Sequence, residues 1–395
     1  MSQFYPSDQL GFAALLSDAE RAALLRLRTV LDEHVRPVVN EYWERGEFPE
    51  QITGPLVGLD MMEPAEVLAA GEKVRGLFAG FRNFELARVD ASVATFYNAQ
   101  SGLFRTTVNL GGSEEQAAEL DPSISSYDLK GVFALTEPEH GSDIAGGLET
   151  SATFEDDERG GSWVINGAKR WIGGAAQADV LAVFARDTAD GQVKCFLVPT
   201  GTEGVRLSKI QRKACLRIMQ NADIDLVDVR VPDSARLARI NSFADVAACL
   251  RNMRSDVAWI ATGAAAGAYE AALKYVLERK QFGKPLASFQ LIQEKLAQML
   301  SNVTACLGMV VRLTEQQDHG LYKDESSAMA KMFTAKMLRE TVALAREICG
   351  GNGIVLDYDV ARFHADAEAI YSYEGTHEIN ALIVGRAVTG IGAFR

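Results

Sequence analysis

The first third of the chain has the apolar spacing of helices. Apolar residues recur at roughly helical intervals over 24–35, as on the buried face of an amphipathic helix. Ser17 and Glu20, which precede this run, have the Ser-x-x-Glu spacing of a capping box, and Pro37 interrupts it. Residues 1–130 are therefore predicted to form an N-terminal α-helical domain.

The pattern changes at Gly131 to short, partly alternating segments rich in Val, Ile, Phe and Trp. Six of them follow one another without helices between them: GVFALTE, TSATFED, SWVINGAKRWI, DVLAVFARD, VKCFLVPT and ADIDLVDVRVP. The Asn166-Gly167 dipeptide inside the third segment predicts a tight hairpin turn. This pattern of short apolar segments predicts an antiparallel barrel or sandwich over 131–235.

Long helical patterns return after Pro232. The last third, 236–395, has apolar stripes at three- and four-residue spacing, and Gly350-Gly351 marks a helix end. Long antiparallel helices of this kind form an up-down bundle. The predicted helices cover about 243–279, 292–310 and 326–349, and a last one begins near residue 377.

Composition narrows the class of protein. The chain has 395 residues, of which 48% are hydrophobic and 24% charged, the balance of a globular protein of two or three domains. Its 40 basic and 53 acidic residues give a net charge of −13, which disfavours nucleic acid and anionic membranes as partners. An anionic small molecule is still compatible with this charge, because a local basic pocket suffices.

The cysteines and the apolar segments predict a cytoplasmic protein without membrane insertion. The five cysteines are far apart and contain no CxxC pair, which is typical of reduced thiols rather than of disulfides or a zinc site. The first residues lack a secretory signal pattern, and the apolar stretch 257–269 is too short to span a bilayer. That stretch is rich in Ala and Gly and predicts a tightly packed core helix.

Common catalytic signatures are missing from the sequence. It has no GxxxxGK[ST] phosphate loop, no GxGxxG opening a βαβ unit, no HExxH zinc pair and no GxSxG elbow. No metal site is therefore predicted, and an enzyme built on this chain must use other groups.

Two glycine-marked loops have side chains suited to an acceptor-rich ligand. The segment TEPEHGSD, residues 136–143, offers hydroxyls and backbone N–H groups, although an ordinary polar turn has the same composition. The segment RKQFGKPLASFQ, residues 279–290, combines basic side chains with two phenylalanines. Arg279 is suited to bidentate binding of a phosphate, and the alternative is a solvated basic turn.

A third loop, AIYSYEGTHEIN, places a carboxylate among aromatic residues. Desolvation of Glu374 between Tyr373 and Gly375 would raise its pKa toward the range of a general base. Gly375 would let backbone N–H groups approach a substrate carbonyl. The alternative is that Glu374 only favours the positive N-terminal end of the next helix.

Taken together and in this order, five motifs resemble the acyl-CoA dehydrogenase family over nearly the whole chain. They are FALTEPEHGSD, INGAKRWIGG, ERKQFGKPLASFQ, EICGGNGI and SYEGTHEINALIVGRAVTGIGAF. The resemblance implies an N-terminal α-helical domain, a middle antiparallel β-barrel domain (131–235) and a C-terminal four-helix bundle (236–395). It also implies non-covalently bound FAD and a homotetramer.

The resemblance implies roles for residues at matching positions. Glu374 would be the catalytic base that takes the α proton of an acyl-CoA while the β carbon gives a hydride to the flavin. The positions matching substrate contacts are Ser142, Arg254, Ala94, Tyr373 and Gly375. The positions matching FAD contacts are Phe133, Leu135, Thr136, Ser142, Trp171, Gly173, Arg279, Gln281, Phe282, Gln290, Cys349, Gly350, Gly351, Gly353, Thr376, Glu378 and Phe394.

Within the family, the C-terminal motif is similar both to glutaryl-CoA dehydrogenases and to plant peroxisomal short-chain acyl-CoA oxidases. Two positions depart from the pattern. Ala94 stands where glutaryl-CoA dehydrogenases have an Arg for the distal carboxylate, with Arg88 or Arg105 as alternative partners, and Gly173 replaces the common Thr near the flavin.

The resemblance predicts FAD-dependent α,β-dehydrogenation of a short, uncharged acyl-CoA to the trans-2-enoyl-CoA, with electrons passed to an electron-transfer flavoprotein. The alternatives are a glutaryl-CoA dehydrogenase, a short-chain acyl-CoA oxidase and, outside the enzymes, a CoA-binding helical scaffold.

Overall fold

A computed structural model describes residues 4–156 and 161–393 of the chain. The described chain divides into two units. The first contains the residues up to Thr95, the segment 213–218 and the residues from Arg254 onward; the second contains the described part of 96–212 together with 219–253. The predicted boundaries at residues 130 and 235 stay predictions.

With one exception, the α-helices lie in the two regions predicted to be helical. They are α1 (Asp18–Val30), α2 (Val39–Arg45), α3 (Thr53–Val57), α4 (Ala65–Ala69), α5 (Gly76–Val89), α6 (Ala91–Asn98), α7 (Arg105–Gly111), α8 (Glu114–Ser125), α9 (Ile144–Gly147), α10 (Phe243–Glu278), α11 (Gln290–Asp318), α12 (Asp324–Ile348), α13 (Val360–Ser372) and α14 (His377–Thr389). The exception is the short helix α9, which lies between the first two strands of the predicted β domain. The capping box before α1 is confirmed, because the Ser17 hydroxyl accepts from the Glu20 amide and the Glu20 carboxylate accepts from the Ser17 amide.

The sheet of the second unit has both parallel and antiparallel pairs. Its strands are β1 (Gly131–Ala134), β2 (Ser151–Glu155), β3 (Ser162–Gly173), β4 (Val180–Asp187), β5 (Val193–Pro199), β6 (Val205–Lys209) and β7 (Asn221–Pro232). The order is β1-β4-β2-β3-β7-β6, with β5 on β4. The predicted β domain is confirmed, but its purely antiparallel pairing is not, because β4 runs parallel to β1 and β2. The segments that connect these strands bring β4 back in the same direction as β1 and β2. The alternation of apolar and polar residues within one strand does not indicate the direction of its neighbour.

The predicted hairpin at Asn166-Gly167 is wrong. Both residues lie inside the continuous strand β3, which pairs with β7 along most of its length. The register shifts between Ile165 and Gly167, so the dipeptide marks a β-bulge rather than a turn. The Asn166 side-chain amide reinforces the bulge by exchanging two hydrogen bonds with Asp228 of β7.

The helices of the first unit pack closely enough to require glycine at two positions of α10. A Cβ at Gly263 would lie 2.3 Å from the Phe84 carbonyl oxygen, and one at Gly267 would lie 2.2 Å from that of Arg88, so α10 meets α5 backbone to backbone. The predicted tight packing of 257–269 is confirmed by this contact.

Helix α12 packs against α11, α13 and α14 in the same unit. In the part of the chain that the structure describes, α11 is the one helix that by length and composition could cross a membrane, and here it packs against α5 and α12. A short antiparallel pair, β8 (Lys280–Gln281) and β9 (Lys284–Pro285), lies between α10 and α11.

Candidate active site

Glu374 lies on a tight turn between two helices. Helix α13 ends at Ser372 and α14 begins at His377 with Thr376 as its N-cap, whose hydroxyl accepts from the Ile379 amide at 3.2 Å. Glu374 has a φ of 54° and Gly375 one of 87°. A left-handed conformation costs a non-glycine residue about 1 kcal/mol or more and recurs where a side chain must be aimed.

The turn weighs against a purely helix-stabilising role for Glu374. Because α14 begins three residues later, Glu374 lies outside the helix, and Glu378 is the acidic residue in its first turn. The predicted cofactor contacts Thr376 and Glu378 therefore both have local roles, one as the N-cap and the other beside the helix N-terminus.

The Glu374 carboxylate has the electrostatic setting of a general base. Its side chain is half-buried, and burial raises its pKa, while the positive charges of Arg254 and Lys331 act in the opposite direction. Across residues 4–156 and 161–393, neither its carboxylate nor its amide has a hydrogen-bond partner. Both groups are thus available to a substrate, one to accept a proton and the other to donate a hydrogen bond.

The predicted substrate contacts of the first unit gather around this turn. The hydroxyls of Tyr373 and Thr95 are 3.3 Å apart, which ties the turn to the segment carrying the buried Ala94. Burial raises the pKa of the Tyr373 phenol, so it stays neutral. Arg254, on α10, acts on the charge of Glu374.

The carboxyl group of Asp256, which the sequence did not single out, interacts electrostatically with Glu374. Burial raises the pKa of Asp256 to about 7, with Arg82 lowering it and the negative charge of Glu374 raising it further. Asp256 directly precedes the apolar run 257–269 of α10, and a carboxyl group at the edge of such a run was the available signal.

Lys331 is the other missed residue at this turn. Its ammonium group donates to the carbonyl oxygens of Tyr371 at 2.9 Å and Gly375 at 2.8 Å. The Asn380 side-chain amide also donates to the Gly375 carbonyl oxygen, at 2.9 Å. The signal was a lysine on the apolar stripe of α12, between Ala328 and Ala335, where all three residues are almost fully buried.

Five of the predicted FAD contacts line one cavity of about 550 Å³ in the first unit. They are Arg279, Gln281, Cys349, Gly350 and Gly351, and Asn352 and Lys295 join them. A Cβ at Gly350 or Gly351 would meet nothing within 4 Å, so the backbone there is open to an approaching group. The Arg279 guanidinium and the open glycine backbone fit the pyrophosphate of a dinucleotide. The Lys295 ammonium group pairs with Glu347, which also lines the cavity, at 3.3 Å.

Other predicted contacts lie apart from that cavity lining. Phe282 is 92% exposed and Gln290 is exposed as well. Gly353 is explained by packing, since a Cβ there would lie 2.2 Å from the Arg346 carbonyl oxygen. Phe394 is outside the described residues.

The remaining predicted residues lie in the second unit, around the loop that follows β1. Leu135 is buried, Phe133 and Thr136 are partly buried, and Ser142 is exposed. The Thr136 carbonyl oxygen accepts from the Arg170 amide at 2.8 Å, which ties the loop to β3.

A buried ion pair that the sequence did not reveal fixes the same loop. The Lys169 ammonium donates to the Glu137 carboxylate at 2.8 Å and to the Leu135 carbonyl oxygen at 3.2 Å. The carboxylate of Glu137 in turn accepts from the Glu149 and Thr150 amides at 2.7 and 2.9 Å. One carboxylate therefore joins the two ends of the loop to the core of the sheet.

Trp171 and Gly173 lie at the end of β3. Trp171 is 51% exposed with a φ of 65°, and the Arg170 guanidinium lies 5.0 Å from the centre of its ring. A Cβ at Gly173 would lie 2.4 Å from the Met219 methyl group. The Met219 methyl group thus occupies the space into which a threonine side chain would project, and it would have to move to admit one.

The chain is similar to known proteins over nearly its whole length. Three family models match the chain in order: the acyl-CoA dehydrogenase N-terminal domain over residues 17–128, the middle domain over 132–229 and the C-terminal domain over 243–389.

Similar proteins include reductases and dehydrogenases. A 3-(aryl)acrylate reductase from Clostridium sporogenes is 32% identical over 90% of this chain and 95% of its own length. A subunit of the caffeyl-CoA reductase-Etf complex from Acetobacterium woodii is 30% identical over 88% of this chain and 92% of its own. The crystal structure of a glutaryl-CoA dehydrogenase from Mycobacterium smegmatis in complex with FADH2 has a TM-score of 0.90 and 32% identity, and covers 99% of this chain and 100% of that one.

Proposed function

The chain belongs to the acyl-CoA dehydrogenase family, and from that premise we propose that it oxidises a short, uncharged acyl-CoA to the trans-2-enoyl-CoA. It is an oxidoreductase in a family that depends on FAD. The observation that carries the proposal is the Glu374 turn, in which a half-buried carboxylate and its own amide are both without a partner among the described residues.

The residues of the turn divide the work on the substrate. The Glu374 carboxylate would take the proton from the carbon next to the thioester, and its raised pKa makes it a stronger base than an exposed glutamate. The Glu374 amide would donate a hydrogen bond to the thioester oxygen, where negative charge develops as the proton leaves.

The residues of the cavity would hold the cofactor. Arg279 and the open backbone of Gly350 and Gly351 would bind a pyrophosphate, and Gln281 would meet the adenine end. FAD, when bound, supplies the acceptor for the hydride that leaves the β carbon. Phe282 at 92% and Leu291 at 75% exposure leave apolar surface next to this cavity, which supports a homotetramer in which one subunit contacts the cofactor of its neighbour.

The acyl end is proposed to be uncharged. Ala94 is fully buried and offers no charge for a distal carboxylate, and burying an unpaired carboxylate costs several kcal/mol. The alternative partners are already engaged: Arg88 pairs with Glu270 at 2.6 Å and with Glu85, and Arg105 pairs with Asp121 at 2.6 Å.

The electrons are proposed to pass to an electron-transfer flavoprotein. Support comes from the relative of Acetobacterium woodii, whose name places it in a complex with such a protein. A short-chain acyl-CoA oxidase would use oxygen instead.

The test is a substrate panel with butyryl-CoA and glutaryl-CoA, each assayed with an electron-transfer flavoprotein or with oxygen as the acceptor. A discrimination of about 3 kcal/mol predicts that kcat/KM for butyryl-CoA exceeds that for glutaryl-CoA by more than about a hundredfold. The Ala94→Arg variant is the matched comparison. Because its guanidinium could pair with the distal carboxylate, it should reduce the ratio of kcat/KM for butyryl-CoA to kcat/KM for glutaryl-CoA. A higher kcat/KM for glutaryl-CoA in the wild type would replace this proposal with the glutaryl-CoA dehydrogenase alternative, and faster turnover with oxygen would favour the oxidase.

A further inference from the structure

The buried ammonium group of Lys331 donates hydrogen bonds to the backbone around Glu374. Lys331 lies on the core face of α12, is 0% exposed and is not part of any ion pair within 4.0 Å in the described chain. Its ammonium instead donates to two carbonyl oxygens, those of Tyr371 and Gly375. Burying a lysine is costly unless its hydrogen bonds are satisfied, so this arrangement needs a reason.

The two carbonyl groups belong to residues on either side of Glu374 in the sequence. Tyr371 lies in the last turn of α13, Gly375 follows Glu374 directly, and a single ammonium group binds the carbonyl oxygens of both. The enclosed residues include the left-handed pair Glu374 and Gly375. Such backbone conformations persist where surrounding contacts fix them, and Lys331 supplies two of those contacts.

We propose that Lys331 is a positioning residue for the catalytic base: its ammonium group fixes the turn that aims Glu374 and provides a compensating positive charge beside the carboxylate. This inference rests on the proposed role of Glu374 as the base. It assigns Lys331 no contact with the substrate, and it predicts that the base loses its aim when the ammonium group is removed or loses its proton.

The charges that face Lys331 come from three other elements. Burial lowers the pKa of Lys331 to about 8; Glu374 of the turn and Glu378 of α14 act to raise it, and Arg254 of α10 acts to lower it. Below pH 8 the ammonium carries its charge and three donors. Above pH 8 it becomes a neutral amine, so kcat should fall on the alkaline side with a midpoint near pH 8.

The experiment measures kcat and KM for butyryl-CoA between pH 6 and 10, and the anaerobic rate of flavin reduction in parallel. The variants are Lys331→Met, which removes the charge, and Lys331→Arg, which keeps it without titrating in this range. Lys336→Met on the exposed side of the same helix is the control. Misplacing a reacting group by about 1 Å costs on the order of a hundredfold in rate.

Lys331→Met is expected to lose on the order of a hundredfold in kcat with little change in KM, whereas Lys336→Met matches the wild type. Lys331→Arg is expected to recover part of kcat and to lose the decline near pH 8. Wild-type rates in Lys331→Met, or an unchanged decline near pH 8 in Lys331→Arg, would overturn the proposal. The pH profile of Lys331→Arg tests the proposal even if Lys331→Met does not fold.

A Glu374→Gln variant measured alongside separates this inference from the proposed function. If Glu374→Gln reduces its flavin as fast as the wild type, the assignment of the base fails. If Glu374→Gln is inactive while both Lys331 variants match the wild type in rate and pH profile, the base stands and the positioning role of Lys331 is overturned.

Discussion

Replacing Glu137 by Gln should destabilise the protein because it removes the carboxylate from a buried ion pair. Lys169 is 0% exposed and Glu137 is 4% exposed, and the pair fixes the loop that carries the predicted flavin contacts Thr136 and Ser142. A glutamine has the same shape but no charge, and its one carbonyl oxygen cannot replace both oxygens that accept from the Glu149 and Thr150 amides.

The size of the effect follows from the lysine. Burial lowers the pKa of Lys169 from 10.5 to about 8, although the charge of Glu137 acts to raise it. At pH 7 the ammonium form is therefore favoured about tenfold, which is worth roughly 1 kcal/mol. Removing Glu137 abolishes that preference, and the amide left without its acceptor adds about 1–2 kcal/mol. The free energy of unfolding should fall by roughly 2–3 kcal/mol.

The pH dependence of this loss has a definite sign. The pKa of Lys169 is lower in the folded protein than in the unfolded chain, so the unfolded chain binds the extra proton between about pH 8 and 10.5 and stability rises with pH there. At pH 9 the wild-type lysine is already neutral and the ion pair is gone. The loss caused by Glu137→Gln should then shrink by roughly 1 kcal/mol, which leaves the part that comes from the amide without an acceptor.

Urea unfolding followed by tryptophan fluorescence measures this loss at pH 7 and pH 9. Glu155→Gln is the control, because its ion pair with Arg230 is exposed to solvent and should contribute little to stability. Adding Lys169→Met to Glu137→Gln should recover the part of the loss that comes from the unpaired ammonium group, since an apolar side chain needs no partner, but not the part that comes from the amide without an acceptor. Equal losses for Glu137→Gln and Glu155→Gln, or a loss that is the same at both pH values, would refute the reasoning.

Three further predictions concern the base, the helix packing and the cofactor. The rate of flavin reduction should rise with pH through the raised pKa of Glu374, because the base must be ionised; a stopped-flow pH profile without that rise would contradict this. Gly267→Ala should lower the free energy of unfolding by about 2 kcal/mol or more, since its Cβ would lie 2.2 Å from a backbone oxygen of α5. Thermal unfolding measures this loss, and Gly385→Ala is the control, because nothing lies within 4 Å of its Cβ and the protein should keep its stability. Arg279→Ala should lower both the FAD content and the oligomer mass in size-exclusion chromatography, and loss of neither would make Arg279 a surface charge.

Local patterns in the sequence predicted features that depend on few neighbours. The capping box at Ser17 forms because both partners lie within one helical turn. The position of Glu374 on a turn follows from the adjacent Gly375 and from the start of α14. The tight packing of 257–269 follows from its small residues, which let α10 approach α5 closely.

Features that depend on distant segments were not predictable in this way. Lys331 meets the Gly375 carbonyl group 44 residues later, and Lys169 meets Glu137 across 32 residues. The sequence shows each lysine but not the acceptor to which folding brings it. The Asn166-Gly167 dipeptide failed as a hairpin signal because pairing along a long strand outweighed a two-residue preference.

The most direct test of the account is anaerobic mixing of Glu374→Gln with butyryl-CoA, beside the wild type. Both proteins should contain the same amount of FAD and unfold alike, because glutamine preserves the shape of the turn. The wild-type flavin should lose its absorbance through reduction, whereas the variant should keep nearly all of it, since glutamine cannot accept the substrate proton. Reduction of the variant flavin at the wild-type rate would contradict the assignment of Glu374 as the base.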